Sequence, residues 1–363
     1  MKALVYRNKG DFGLEQKPKP KTIASDDAVV KLVKTTICGM SLIASTHLLA
    51  HPVPPLGTDL HILKGDVPTV QPGRILGHEG LGVVESVGSG VTAYKPGDRV
   101  IISCVTACGT CRNCRRAMPS HCSTGGWILG NTIDGTQAEF VRIPHANSSL
   151  HPVPKGVDED ALVMISDILP TALECGTLNG KVAPGSIVAI VGAGPIGLSA
   201  LITAQLYSPS KVIMIDLDQN RLDVALKLGA THAVVSGPDA VKNVMEITNG
   251  EGVDSAIEAV GVAPTFELCQ EIIGVGGTIA NIGVHGGKAD LHLEKLWDRN
   301  IAITTRLVDT VTSPMLIKLL ESGKLDGKVL TTHTFKFGNI DSAYSSFAAA
   351  ATNKALKVII NFD

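Results

Sequence analysis

Four cysteines, Cys108, Cys111, Cys114 and Cys122, fall within fifteen residues, separated by gaps of two, two and seven. Four thiolates on one short lobe match a closed tetrahedral zinc site that leaves no position for a substrate. Arg112, Arg115 and Arg116, interleaved with them, offset the negative charge of such a centre. Iron–sulfur centres use related spacings, one form of which closes with a three-residue gap and a proline. Here the last gap is seven and Ser123 follows Cys122, so zinc is preferred. Disulfides are disfavoured in a reducing compartment. A second set is scattered: Cys38 ends a β-like run, His78 and Glu79 follow Gly77 ahead of a glycine series, and Asp167 lies in SDILPTALE. Singly, each reads as readily as a packed core residue. Together, one cysteine, one histidine and one carboxylate make the three protein ligands of a catalytic zinc with an open fourth position. Such a site can polarise an alcohol oxygen and lower its pKa, so that hydride leaves the carbon for a nicotinamide.

A dinucleotide site is written further along. The apolar run Ile187–Val191 leads into Gly192-Ala193-Gly194-Pro195-Ile196-Gly197 and then a helical stretch reaching Leu206. One glycine serves the tight turn, one lets a pyrophosphate approach the backbone and one permits close helix–strand contact. The helix start adds free N–H groups and a positive dipole end. Asp216, nineteen residues after Gly197, closes the next apolar run and would bind the adenosine ribose hydroxyls. Its charge repels a 2′-phosphate, which favours NAD over NADP; a structural strand–turn–helix corner is the bland alternative.

The elements that must position these groups change character along the chain. Residues 1 to about 165 read as short strands split by turns, among them Ala28–Thr36, Gly80–Val87 and Arg99–Ser103. From about Gly185 strands alternate with helical patterns, at Ile187–Val191, Val212–Asp216, Ala233–Val235, Ser255–Val260, Thr278–Val284 and Ile301–Arg306. Between the second and third of these, 218–228 reads as a helix stopped by Gly229. This rhythm specifies an α/β doubly wound parallel sheet, and the segment after 310 is expected to return to the first domain. Lys+Arg 32 against Asp+Glu 34 leaves a net charge of −2, which argues against nucleic acid and anionic membrane as partners. The uncharged span 182–210 is long enough for a membrane helix, but the glycine loop accounts for it better. No signal or transit peptide is recognisable at the N-terminus, so a cytoplasmic address is expected.

GHEGLGVVESVGSGV (77–91), the four-cysteine lobe, GAGPIG and SDILPTALE together resemble the zinc-dependent medium-chain alcohol dehydrogenases over nearly the whole chain. The resemblance implies an all-β GroES-like catalytic domain, 1–170 with 311–363, and a Rossmann NAD-binding domain at 171–310. It implies that Cys38, His78 and Asp167 hold a catalytic zinc, with Glu79 a carboxylate able to exchange onto the metal, and that Cys108, Cys111, Cys114 and Cys122 hold a structural zinc. Thr58 would take the substrate proton, His61 would relay it, and Asp59 would orient the metal-bound histidine. Val260, Gly261, Ile282, Gly283 and Val284 would contact the nicotinamide, and Arg221 would join Asp216 in binding the cofactor. The expected activity is NAD-linked oxidation of a primary or secondary alcohol to an aldehyde or ketone, and the reverse. Alternatives are a polyol or amino-alcohol dehydrogenase and a catalytically silent binder of zinc and NAD. A homo-oligomer, dimer or tetramer, is implied, with sheet-edge pairing through Thr278–Val284 and the Ile301 strand. Trp127 is the one conspicuous bulky candidate for the substrate pocket.

The chain departs from that family in one place. Cys38-Gly39 and Thr58-Asp59-Leu60-His61 belong to a single short run there, whereas here residues 40–57, eighteen uncharged residues, separate them. Removing the segment restores CGTDLHILKGD. Two accounts are open: a genuine loop, whose closure costs about 2–3 kcal/mol of chain entropy, or a translated intron. The second is preferred, because codons for Gly39-Met40-Ser41 and Leu56-Gly57 can supply an in-frame GT…AG interval of 54 nucleotides. It assumes a eukaryotic source. His47 and His51, within the segment, read as accidental rather than as a further metal site.

Overall fold

A computed structural model describes residues 1–38 and 58–363; the insertion at 40–57, with His47 and His51, lies outside the described residues. The described chain divides into two compact units, 1–38 with 58–170 and 308–363, and 171–307.

The first unit opens with a hairpin, β1 (Lys2–Asn8) and β2 (Asp11–Gln16), turned at Gly10, whose φ of 76° suits glycine. Five strands follow: β3 (Ala28–Thr36), β4 (Gly80–Val87), β5 (Arg99–Ile102), β6 (Phe140–Ile143) and β7 (Leu150–Pro152). Antiparallel β3, β4 and β5 carry valine, leucine and isoleucine on buried faces, and Val30, Leu32, Val84, Val100 and Ile102 pack into one core.

The second unit holds six parallel strands, β8 (Ile187–Val191), β9 (Lys211–Asp216), β10 (His232–Val235), β11 (Val253–Glu258), β12 (Ile273–Asn281) and β13 (Ala302–Thr305). Their order, β10-β9-β8-β11-β12-β13, is the doubly wound arrangement that reverses between β8 and β11. Ligands of such sheets bind at the carboxyl ends of the strands beside that reversal. The uncharged span 182–210 resolves into β8, the glycine turn and the helix Pro195–Gln205. Among the described residues no single helix is long and apolar enough to cross a membrane.

The chain then returns to the first unit as β14 (Thr331–Lys336) and β15 (Lys357–Asn361), and β15 pairs antiparallel with β3. That register sets Ile359 opposite Thr36 and brings Lys357 close to the end of β3.

Several strand ends differ from the sequence reading. The strand expected at Thr278–Val284 starts earlier, at Ile273, and stops at Asn281; that expected at Ser255–Val260 stops at Glu258. Both stop because the chain turns: Gly261 has a φ of 90°, and Ile282 and Gly283 donate to the carbonyl of Glu258 rather than continuing a ladder. β12 is flanked by β11 and β13, so in a single chain only β13 presents an edge on that side. The helix read at 218–228 spans Gln219–Lys227, with the Asp218 carboxylate accepting from the Asn220 N–H at 2.9 Å and Gly229 at a φ of 99°.

Candidate functional site

Cys38, His78, Glu79 and Asp167 converge in the first unit, each offering a ligand atom within 4.8 Å of the others. Cys38 follows β3, His78 and Glu79 immediately precede β4, and Asp167 ends a 3-10 turn, 163–166. The Asp167 carboxylate stands 3.5 Å from Cys38 Sγ and 3.4 Å from His78 Nε2. A thiol, an imidazole nitrogen and a carboxylate at these separations fit a zinc ion drawn into their midst. Burial opposes protonation of His78, but the neighbouring Cys38 and Asp167 raise its pKa well above 6.5; burial likewise raises the Cys38 thiol. A cation among these groups would relieve the crowding of negative charge.

Glu79 is held differently. Its Oε2 accepts from Lys357 Nζ at 2.5 Å, and both side chains are at most 2% exposed. Burial pushes the Glu79 carboxyl up, against the pull of Lys357, to about 7. Its Oε1 is buried without a partner. Lys357 also donates to Thr36 Oγ1 at 3.2 Å and the Ile37 carbonyl at 3.3 Å, pinning the chain just before Cys38.

The helix Thr58–Lys64 carries Thr58, Asp59 and His61, and of these Asp59 touches this set. Asp59 Oδ2 accepts the Cys38 backbone N–H at 2.9 Å and Gln137 Nε2 at 3.0 Å. Thus Asp59 braces the backbone of Cys38, and it also lies near enough to His78 for the two to interact electrostatically. Tyr344 donates to Gln137 Oε1 at 2.9 Å, extending this buried network. His61 Nδ1 lies 2.9 Å from Asp66 Oδ2, an acceptor that places the proton on Nδ1 and leaves Nε2 as the basic nitrogen. That Nε2 is buried without a partner, and Asp66 is about half exposed at 48%. The arrangement suits a histidine that takes a proton inside and is supported from the surface. Trp127 stands edge-on to His78, ring centroids 6.4 Å apart.

Cys108, Cys111, Cys114 and Cys122 form the other converging set. Cys111 Sγ and Cys122 Sγ are 4.0 Å apart, too far for a disulfide and close to the edge of about 3.8 Å expected of a tetrahedron with 2.3 Å Zn–S bonds. The Thr110 hydroxyl and the Cys111 N–H both point at Cys108 Sγ and lower that thiol to about 5. The lobe is anchored by Asp309, which accepts from the Ser120 N–H at 3.0 Å and the Ser120 hydroxyl at 2.6 Å.

In the second unit the glycine turn behaves as its spacing requires. Gly192 has a φ of 104°, and a Cβ at Gly197 would lie 1.7 Å from the Gly192 carbonyl oxygen. Gly194 precedes the helix Pro195–Gln205, with Pro195 and Ile196 in its first turn. Asp216 Oδ2 accepts the Ala193 N–H at 2.6 Å and Oδ1 the Asp218 N–H at 2.9 Å. A carboxylate has about four lone-pair sites, so capacity remains for ribose hydroxyls. Burial raises Asp216, while Arg221, itself 7% exposed, acts to lower it. Val260 and Gly261 lie beyond β11, and Ile282, Gly283 and Val284 beyond β12, at the carboxyl ends where the cofactor half-site is expected.

The profile of the Alcohol dehydrogenase GroES-like domain matches residues 24–155, and that of the Zinc-binding dehydrogenase matches 195–322. An Alcohol dehydrogenase of Cupriavidus necator is 34% identical over 96% of this chain and 95% of its own. The chain belongs to the zinc-dependent medium-chain alcohol dehydrogenases. Among solved structures, Zinc dependent alcohol dehydrogenase 2 from Streptococcus pneumonia superposes with a TM-score of 0.92 at 51% identity, covering 100% of this chain and 99% of the other. An L-threonine 3-dehydrogenase of Shewanella baltica is 31% identical over the full length of both chains.

Reading this dehydrogenase from sequence missed Asp66, Gln137, Lys357 and Asp309. Only Asp66 had a local signal, five residues after His61 in the run that also holds the relay candidates. For the cysteine lobe, Cys111→Ser is expected to release one zinc per chain and lower the melting temperature, because apo lobes of this kind lose their fold with the metal. Metal analysis beside a thermal melt checks it; a variant keeping two zinc ions would remove the structural role.

Proposed function

We propose that this dehydrogenase oxidises primary or secondary alcohols with NAD, and that Cys38, His78 and Asp167 hold the catalytic zinc. The convergence of those three ligand atoms supports the reading most directly. When bound, zinc supplies polarisation of the alcohol oxygen and the nicotinamide supplies a hydride acceptor. The remaining work falls to side chains. Thr58 accepts the hydroxyl proton, and His61 takes it on at Nε2 with Asp66 stabilising the ring from Nδ1. Lys357 holds Glu79 by its Oε2, keeping that carboxylate beside the metal set without occupying it. Gln137 and Asp59 fix the backbone that presents Cys38.

Asp216 selects the cofactor. Asp216→Gly removes the ribose acceptor and the repulsion of a 2′-phosphate, so the kcat/KM ratio of NAD over NADP is expected to fall by about 30-fold, as charged hydrogen bonds are lost. An unchanged ratio in steady-state kinetics refutes the role. A second reading, oxidation of an amino alcohol or a polyol by the same groups, draws support from the likeness to L-threonine 3-dehydrogenase. Rates on a panel of simple alcohols, polyols and threonine separate the two. The same reading has the chain self-associate through the edge of β13, the last strand in the order of its sheet.

A further inference from the structure

Glu258 ends β11 and is fully buried, yet it belongs to none of the groups assigned above. Its Oε1 accepts three hydrogen bonds, from the Val260 N–H at 2.9 Å, the Gly261 N–H at 2.8 Å and the Thr265 hydroxyl at 2.7 Å. Its Oε2 faces the other turn, buried and without a hydrogen bond. His285 Nε2 lies 3.4 Å away and is 2.9 Å from Asn281 Oδ1, whose amide nitrogen donates to the Gly283 carbonyl at 2.7 Å. The Glu258 carbonyl accepts Ile282 N–H at 2.8 Å and Gly283 N–H at 3.2 Å. The two turns interlock at distances only glycine permits. A Cβ on Gly283 would come within 2.2 Å of Gly261 N and 2.4 Å of Glu258 Oε2, and one on Gly261 within 2.5 Å of the Val284 carbonyl oxygen. Gly176, packed against Ile282 from the segment Ala172–Leu178, supports the second turn from behind.

We infer that Glu258 is a positioning residue whose side chain fixes the 259–262 turn against the 282–284 turn that its own backbone carbonyl holds, making one rigid rest for the nicotinamide. This rests on the reading that those turns contact the nicotinamide. A buried carboxylate oxygen that accepts two backbone N–H groups and a hydroxyl holds a turn more firmly than a neutral acceptor does. Its loss leaves those donors unpaired in the interior. The clasp lies on one half of the cofactor site, whereas Gly194 and Asp216 serve the adenosine diphosphate half.

Titrating the zinc-loaded protein with NADH and, separately, with ADP-ribose tests this, because ADP-ribose lacks the nicotinamide. Wild type binding NADH more tightly than ADP-ribose establishes that the nicotinamide is held at all; equal affinities overturn the underlying reading instead. Given that preference, Glu258→Ala is expected to weaken NADH by about tenfold or more with ADP-ribose within about twofold. Glu258→Gln, which keeps the Oε1 acceptor, should restore most of the NADH affinity. Glu258→Asp, too short by one methylene to reach the Val260 and Gly261 N–H groups and the Thr265 hydroxyl, should lose about threefold for NADH alone, and it carries the test where the alanine variant fails to fold. Parallel loss of both ligands, or unchanged NADH affinity, overturns the proposal.

Discussion

His78→Ala is expected to lower turnover with any alcohol by at least about a thousandfold, equivalent to about 4 kcal/mol of transition-state stabilisation. It should release one zinc while the cysteine lobe keeps the other. Removing the imidazole leaves one thiol and two carboxylates, Glu79 and Asp167, in a buried site. Glu79 could compensate only by leaving Lys357, and that ion pair, 2.5 Å long and shielded from water, would be broken to free it. Parting one member of such a pair costs about 3–5 kcal/mol because the other charge is stranded. Replacement by Glu79 is therefore too costly to rescue the site. NADH affinity should stay near wild type, since the dinucleotide residues belong to the second unit. Metal analysis, NADH titration and steady-state rates on one preparation check all three; a variant with two zinc ions and ordinary turnover would refute the ligand assignment.

Deleting residues 40–57 is expected to give a folded 345-residue chain that forms NADH in the presence of alcohol. Cys38 and Asp59, although 21 positions apart, are already joined twice: the Asp59 N–H donates to the Cys38 carbonyl at 3.1 Å, and the Cys38 N–H to Asp59 Oδ2 at 2.9 Å. In Cys38-Gly39-Thr58-Asp59 the first of these becomes the ordinary i to i+3 bond of a β-turn. The deletion also removes the entropy cost of drawing the ends together, about 2–3 kcal/mol, so the melting temperature should rise by a few degrees. Comparing both chains in the same assay sorts the origins of the segment. Equal activity makes it a tolerated loop, and activity only after deletion supports the retained intron. Loss of folded protein on deletion refutes the expectation.

The glycine turn, the four-cysteine lobe and the β–α alternation were all legible because each is local. A glycine at positive φ, a thiolate two residues from the next, and a run of valine and isoleucine bounded by turns act within about ten residues. Strand ends were less legible: Val260 and Ile282 are apolar and extend the pattern of β11 and β12, and only the interlocked glycines show that the chain has already turned. That Asp59 Oδ2 also takes the Cys38 backbone N–H was less legible for a related reason, since hydrogen-bond geometry across the interruption is not written in the local run.

By sequence alone this chain was identifiable as a zinc and dinucleotide dehydrogenase with an eighteen-residue interruption, because ligand types and spacings carry that chemistry. What surrounds the ligands was settled only by tertiary structure. Lys357 meets Glu79 across 278 positions, Tyr344 meets Gln137 across 207, and Asp309 meets Ser120 across 189. Lysine and glutamate are surface residues by default. They become a buried pair only where β15 pairs with β3, and no local pattern encodes that pairing.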